Sequence, residues 1–584
     1  RKTKFQERLS SYKEMEHFYS GKTVPNSVFN KLKDKDVVIV SLHDINLYPG
    51  SSGSYGITQS TRDFIGNLSK ETKVVLVVFG NPYTLKYFDY VDWVLEAYEE
   101  NEMTEDLAAQ ALFGGIPIKG KLPITASNRS RSGDGVIIEK ASRFGYVSPR
   151  EAGLDSGMLT KIDYLAAEAI DAKATPGCVV FVAKDGKVVY EKAYGTHTYD
   201  KEQPVQPEDI YDLASVTKVA ATTLAIMKLH DQGKIDINRT LGYYLPEVQG
   251  TNKADLIIRD IMTHRARLLS WIPFYTKTIV KRSRRRAYPS SRYYRKSSDN
   301  RYSVPVTQKL YMRADHIDDM WAELIETRLR SRDGYRYSDL GFYLLSKLVH
   351  EVSGQPLDEF MAKEFYEPMG LETMMYNPWK KFPLDRMPPT EEDRYFRNQQ
   401  VRGYVHDMGA AMMGGVSGHA GLFSSARDLA VLMQMLHQGG NYGNVQYLDS
   451  TTVRLFTRRE PMSTRTGIGF DLFKTNPNMR RGMPQEASDK TYGHIGFTGT
   501  CAWVDPENDL VYIFLSNRTY PTMNNYKINR LGLRSSAFAV VYDAMLDSAK
   551  EEKSEILATE ELPTKPLPRS VSSDGGISAA EQIN

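Results

Sequence analysis

The most informative segment of the sequence contains a serine and a lysine three residues apart: Tyr211-Asp212-Leu213-Ala214-Ser215-Val216-Thr217-Lys218. A long, mostly apolar run follows it: Val219-Ala220-Ala221-Thr222-Thr223-Leu224-Ala225-Ile226-Met227-Lys228-Leu229. The later part has the composition of a helix, and Gly233 is expected to end it. Ser215 and Lys218 are three residues apart, so their side chains share one helix face. A serine hydroxyl becomes nucleophilic when a base lies within hydrogen-bond reach, and a lysine qualifies if burial or positive charge lowers its pKa. We therefore predict that Lys218 activates Ser215.

Ser-x-x-Lys alone is a weak signal of a catalytic site, because it is common by chance. Two later segments strengthen the prediction. Tyr337-Ser338-Asp339 precedes an apolar helical run, and a phenol beside an ammonium is a competent general acid or base. His494-Ile495-Gly496-Phe497 precedes a strand, where a glycine allows close approach of a substrate. The N–H groups of Ser215 and Phe497 are the predicted oxyanion donors.

Two predicted hairpins flank the helical middle of the chain. Residues 178–184 and 187–194 are rich in β-branched side chains and are separated by Asp185-Gly186, a strong type I′ turn signal. Residues 500–504 and 510–517 form the second hairpin. We expect strands from both hairpins to pair into one antiparallel sheet with helices packed on it.

In this order the three segments resemble the superfamily of class C β-lactamases, penicillin-binding proteins and serine esterases, over about residues 153–546. Its Ser-x-x-Lys is unaltered, its Tyr-x-Asn reads Tyr337-Ser338-Asp339, and its Lys-Thr-Gly reads His494-Ile495-Gly496. The resemblance implies an antiparallel sheet flanked by a helical region. It also implies hydrolysis through a covalent acyl-enzyme, without a metal or cofactor, in which Lys218 and Tyr337 share the proton transfer.

The departures from the family motifs favour an amidase, peptidase or esterase over efficient β-lactam hydrolysis. Asp339 adds a negative charge where the family has an amide, and His494 replaces a permanent cation; both residues are expected to shape the leaving-group side. A β-lactamase, a carboxylesterase and a non-catalytic protein that captures a muropeptide or penicillin remain alternatives.

Three further histidines are candidates for the site or its surroundings. A glycine-rich segment, residues 403–423, contains His406, Asp407 and His419, which we predict to line the substrate site. Structural hydrogen bonding is the alternative for each, and no zinc-ligand spacing is met. His264 is interpreted as the cap of a preceding helix.

The first 125 residues have the pattern of a doubly wound α/β sheet. Residues 36–41 and 73–80 are short apolar runs, with a helical pattern over 61–70 between them. Residues 111–125 resemble the closing segment of the C-terminal α/β sandwich of family 3 glycoside hydrolases. Those enzymes carry their nucleophile in a preceding barrel, for which this chain has no room, so glycosidase activity is not expected from it.

The fusion resembles envelope-recycling proteins that join a β-N-acetylhexosaminidase to a serine amidase. This implies a cell-wall muropeptide substrate and points to the periplasm or cell envelope, although the sequence does not fix the compartment. The chain begins at Arg1 without a methionine, which is typical of a fragment.

The predicted organisation is an α/β multi-domain chain: a sandwich over 1–125, a linker over 126–150, the hydrolase domain over 151–548 and a disordered tail over 549–584. The net charge of +3 does not favour binding to nucleic acid or to an anionic membrane, and no apolar run reaches the ~18 residues that a membrane-spanning helix needs.

Residues 277–301 are basic with interleaved tyrosines. We expect a solvated insertion loop that covers the pocket mouth; nucleic-acid binding is the alternative.

Overall fold

The computed structural model describes residues 2–21, 23–51, 53–283, 286–461, 466–473 and 482–545. The tail predicted for residues 549–584 lies outside them. Within these ranges, no helix has both the length and the apolar composition needed to cross a membrane.

The N-terminal region is built on a three-stranded parallel sheet. Its strands are Val37–Leu42, Lys73–Val78 and Trp93–Glu96, paired in chain order. The predicted crossover helix, Gln59–Glu71, buries Ile65 and Leu68 completely against one face. Helices Lys4–Tyr12 and Glu102–Leu112 pack together on the other face, so both faces of this sheet are covered.

The segment predicted as a linker is partly ordered into the larger fold. Ile118 forms a bridge with Ile138, and Gly145–Tyr146 pairs in parallel with the strand Lys187–Gly195. Phe144 and Tyr146 are buried, which explains why the end of this segment packs as an edge strand rather than lying free in solvent.

A seven-stranded sheet organises the rest of the chain. Its spatial order is Asp471–Leu472, Tyr492–Ile495, Cys501–Asp505, Leu510–Ser516, Gly177–Lys184, Lys187–Gly195 and Gly145–Tyr146. Leu510 lies opposite Lys184 and Ser516 opposite Cys178, which confirms that strands from the two predicted hairpins pair antiparallel in one sheet. Both residues of the Asp185-Gly186 turn have positive φ, as a type I′ turn requires.

Alternating side chains of these strands enter two different cores. Val179, Phe181 and Ala183 face the large helical region, whereas Val180 and Val182 face the opposite layer. The opposite layer consists of the helices Ser156–Leu159, Lys161–Asp171, Lys527–Leu531 and Leu533–Asp543. The helical region contains Leu224–Asp231, Leu241–Tyr244, Ile258–Met262, His316–Glu326, Leu340–Ser353, Leu357–Met361, Glu367–Met369, Met408–Met412, Ala426–His437 and Ser450–Thr457.

One small sheet connects the site segments. Tyr211–Asp212 pairs with Leu422–Ser424, which pairs in turn with Met375–Tyr376. This pairing places the glycine-rich segment directly beside the residues that precede Ser215.

The basic insertion is more ordered than the solvated loop expected from its composition. Ile279–Ser283 and Arg286–Pro289 form a hairpin, and Tyr294–Arg295 joins a sheet with Leu310–Met312 and Val304–Thr307. One of its tyrosines, Tyr294, is buried in the core of the helical region, with its hydroxyl 2.7 Å from Thr278 Oγ1. The guanidinium of Arg295 also lies 4.4 Å from the ring centre of Tyr302.

Candidate active site

Ser215 is presented by an unusual turn. The chain passes from the strand Tyr211–Asp212 into a 3-10 turn, Ala214–Val216, then into a π-helical segment, Lys218–Thr223, before the α-helix begins. Ala214 has φ of +47°, which is unfavourable for alanine, and its N–H donates to Asp212 Oδ1 at 2.9 Å. Backbone strain held beside a reactive side chain, together with a π-helical turn, is typical of functional sites.

The structure brings together the three side chains that the sequence singled out. Lys218 Nζ donates to Ser215 Oγ at 3.0 Å, and the Tyr337 hydroxyl, 122 positions along the chain, donates to the same oxygen at 2.9 Å. Lys218 is fully buried and also donates to the backbone oxygen of His419 at 3.2 Å. Ser215 Oγ is therefore the meeting point of an ammonium and a phenol.

Asp339, which is predicted to shape the leaving-group side, forms an ion pair with this lysine. Its Oδ1 lies 2.7 Å from Lys218 Nζ. Burial by itself lowers the pKa of Lys218, but the nearby Asp339 carboxylate and Tyr337 outweigh burial and raise that pKa above its usual value. The lowered pKa that a lysine base requires is thus not found in the resting site.

Two histidine rings surround the phenol. The ring centre of Tyr337 lies 4.6 Å from that of His264 and 6.1 Å from that of His494. Burial raises the pKa of Tyr337, and Lys218 opposes this shift. Burial and the charge of Lys218 lower the pKa of His264 to about 3, so this ring is neutral, and its Nδ1 accepts the N–H of Ser338 at 3.2 Å.

The turn that follows His494 is fastened to the backbone beside the nucleophile. Thr498 Oγ1 donates to the Asp212 oxygen at 2.7 Å, and Thr500 Oγ1 donates to the Leu213 oxygen at 3.0 Å. A Cβ on Gly496 would lie 2.5 Å from the Leu213 oxygen, so only glycine fits this approach. The turn that contains Phe497 is consequently held against the backbone of Asp212 and Leu213, which leads into Ser215.

Three residues that hold this turn were not among the predicted site residues: Thr498, Thr500 and the buried Arg518, which follows the strand Leu510–Ser516. Arg518 Nε donates to the Phe497 oxygen at 2.7 Å, and its guanidinium lies 4.3 Å from the centre of the Phe497 ring. That ring is 43% exposed. The two threonines at alternate positions after Gly496 could have indicated that this turn is held by side-chain hydrogen bonds. No feature of the sequence indicated that Arg518 contacts the turn.

The rings of His494, His406 and His419 are each tied to protein groups. The Nδ1–H of His494 donates to the Ile495 oxygen at 2.7 Å, and the Nε2–H of His406 donates to Glu391 Oε2 at 3.0 Å. His419 uses both ring nitrogens, one toward Asp407 Oδ1 and one toward Ser417 Oγ, each at 2.9 Å. The backbone oxygen of His419 also accepts from Lys218, so this residue is held beside the nucleophile by three hydrogen bonds.

Comparison with known proteins adds the family context. Residues 162–535 match the family model described as Beta-lactamase. A protein of Salmonella typhimurium strain LT2 named "Putative D-alanyl-D-alanine carboxypeptidase" is 33% identical over 412 residues, covering 65% of this chain and 88% of that protein. Among solved structures, a penicillin-binding protein homolog from Caulobacter crescentus is 17% identical, covers 66% of this chain and 99% of its own, and has a TM-score of 0.45.

Proposed function

Because this chain belongs to the beta-lactamase family, whose model spans residues 162–535, we propose that it hydrolyses amides through a covalent acyl-enzyme on Ser215. The observation that carries the proposal is the pair of hydrogen bonds, from Lys218 and Tyr337, that converge on Ser215 Oγ. The substrate class is a cell-wall muropeptide, and the name of the Salmonella relative favours a D-alanyl-D-alanine end.

Acylation requires a proton acceptor at Ser215 Oγ, yet both groups that contact this oxygen donate to it at rest. Asp339 stabilises the ammonium of Lys218, and burial disfavours the phenolate of Tyr337. The reactive state is one in which this coupled pair has lost one proton, and the pair then accepts the proton of Ser215 as Oγ bonds to the carbonyl carbon. The acylation rate should therefore rise with pH.

The tetrahedral intermediate places a negative charge on the former carbonyl oxygen. The N–H groups of Ser215 and Phe497 are its proposed donors, supported by the two threonine hydrogen bonds that hold the Phe497 turn. Collapse of the intermediate expels the amine, which takes the proton from the Lys218–Tyr337 pair. In deacylation, water attacks the acyl carbon and gives its proton to the Lys218–Tyr337 pair. Ser215 Oγ then leaves and takes the proton back, which releases the acid.

Intact mass spectrometry tests this proposal directly. The chain is incubated with an acyl-D-alanyl-D-alanine peptide, a short-chain p-nitrophenyl ester and nitrocefin in parallel. We expect turnover of the peptide and an acyl adduct that Ser215→Ala abolishes. Labelling by a fluorophosphonate probe without turnover of any substrate would instead favour a non-catalytic binding protein, and turnover of nitrocefin alone would favour a β-lactamase.

We also propose that residues 1–125 are the C-terminal sandwich of a family 3 glycoside hydrolase. The parallel sheet with helices on both faces supports this proposal. This proposal predicts that a longer product with a preceding barrel domain releases N-acetylhexosamine from a chromogenic glycoside. A full-length product that has no barrel domain would contradict the proposal.

A further inference from the structure

Three potential metal ligands meet outside the residues matched by the family model. His43 directly follows the strand Val37–Leu42, and Glu100 and Glu105 come after the strand Trp93–Glu96. His43 Nδ1 lies 3.1 Å from Glu100 Oε1 and 3.9 Å from Glu105 Oε1, and the three ligand atoms all lie within 4.8 Å of one another. This is the carboxyl edge of a parallel sheet, where open α/β folds bind ligands.

In each of the three residues, the polar side-chain atom that is not a proposed ligand already makes a hydrogen bond. These bonds orient the three ligand atoms toward one point. Three contacts do this: Ser41 Oγ with His43 Nε2 at 3.0 Å, the Asp44 N–H to Glu100 Oε2 at 2.6 Å, and the Phe5 N–H to Glu105 Oε2 at 3.0 Å. The His43 ring also stacks on Phe79, with centroids 4.9 Å apart. Such outer contacts orient ligands and fix the imidazole tautomer in metal sites.

One member of this cluster is a buried carboxylate. Glu105 is only 8% exposed, and its Oε1 is the oxygen that faces His43, 3.9 Å from Nδ1. A buried carboxylate is costly unless its charge is balanced. A divalent cation would balance the charges of the Glu100 and Glu105 carboxylates.

We propose that His43, Glu100 and Glu105 bind one divalent transition-metal cation. One imidazole nitrogen and two carboxylate oxygens suit Zn²⁺, which binds such ligands at about 2.0–2.2 Å and leaves a fourth position for water. Binding would draw the three ligand atoms closer together than their present separations of up to 4.8 Å. Because Phe5 belongs to the helix Lys4–Tyr12 and Glu105 to the helix Glu102–Leu112, the cation would fasten both helices to the end of the first strand.

Calorimetric titration of the EDTA-treated full chain with ZnCl₂ tests the site. We expect one equivalent to bind and to raise the melting temperature. His43→Ala and Glu105→Gln should each weaken binding by about 100-fold, and Ser41→Ala by about 10-fold. The matched control is His17→Ala, because His17 lies in the same region but bonds only Ser10 among the described residues; it should bind like the parent.

Absence of binding heat, unchanged binding in His43→Ala, or MgCl₂ binding as tightly as ZnCl₂ would overturn the proposal. If His43→Ala fails to fold, Glu100→Gln gives the same test at an exposed side chain. None of these readouts depends on hydrolysis at Ser215.

Discussion

Replacing Asp339 with asparagine should move the acid limb of the pH–rate profile to lower pH. The substitution keeps the shape of the side chain but removes the charge that lies 2.7 Å from Lys218 Nζ. Lys218 is fully buried, so without this partner burial favours its neutral amine. A base that loses its proton more readily is available at a lower pH.

The magnitude follows from the geometry of this ion pair. Two unit charges at this distance attract by about 6 kcal/mol at an effective dielectric constant of about 20. The asparagine oxygen keeps a hydrogen bond, and the Asp339 side chain is 20% exposed, so we expect a net effect of about 3 kcal/mol. Because about 1.4 kcal/mol corresponds to one pH unit, the limb should move by at least one unit.

The assay is the rate of ester turnover and of fluorophosphonate labelling, measured from about pH 5 to about pH 10. Asp333→Asn is the matched control, because that side chain is 91% exposed and its contact is with Arg267. An unmoved limb in a folded Asp339→Asn protein would refute the reasoning. Loss of labelling at every pH would refute it too, since it would make the carboxylate itself indispensable.

Three further substitutions probe the phenol, the second site turn and the buried histidine. Tyr337→Phe keeps the ring packing but should lower kcat/KM for an amide by about 10²–10⁴-fold; an unchanged value would remove the phenol from the mechanism. Gly496→Ala would place a Cβ 2.1 Å from Thr500 Oγ1, so we expect lost activity and about 1–3 kcal/mol of destabilisation, whereas Gly120→Ala, with no atom within 4 Å, should resemble the parent in a melting assay. His264 has a folded pKa of about 3 against an ordinary 6.5, so the unfolded chain binds its proton first and stability falls as pH drops below 6.5, by about 1.4 kcal/mol per unit. His264→Gln should lessen the loss of melting temperature between about pH 7 and about pH 5, and an equal loss in both proteins would contradict this.

Local signals in the sequence predicted the framework of the fold well. The Asp185-Gly186 pair marked a hairpin because its two residues tolerate positive φ, and β-branched side chains marked the two strands beside it. The parallel N-terminal strands were recognisable because a strand covered on both faces is an uninterrupted apolar run.

Long-range electrostatics could not be read in the same way. The motif position of Asp339 predicted a role on the leaving-group side but gave no indication that its carboxylate pairs with the ammonium of Lys218. The linker expected before residue 150 ends in an edge strand, because the partner strand that buries Tyr146 lies some forty positions away. Arg518 carried no motif, since it acts by donating to a backbone oxygen of a distant turn.

The sequence alone identified which reactive side chains this protein has. Ser215, Lys218 and Tyr337 lie in short motifs, and the spacing of a motif and the periodicity of the residues beside it can be read locally along the chain. Only the tertiary structure decided how those groups are charged and aimed. Burial, a carboxylate from another segment and a turn fastened by Thr498 and Thr500 set the proton positions and the place of Phe497. Such effects depend on distances through space, which the order of residues along the chain does not state.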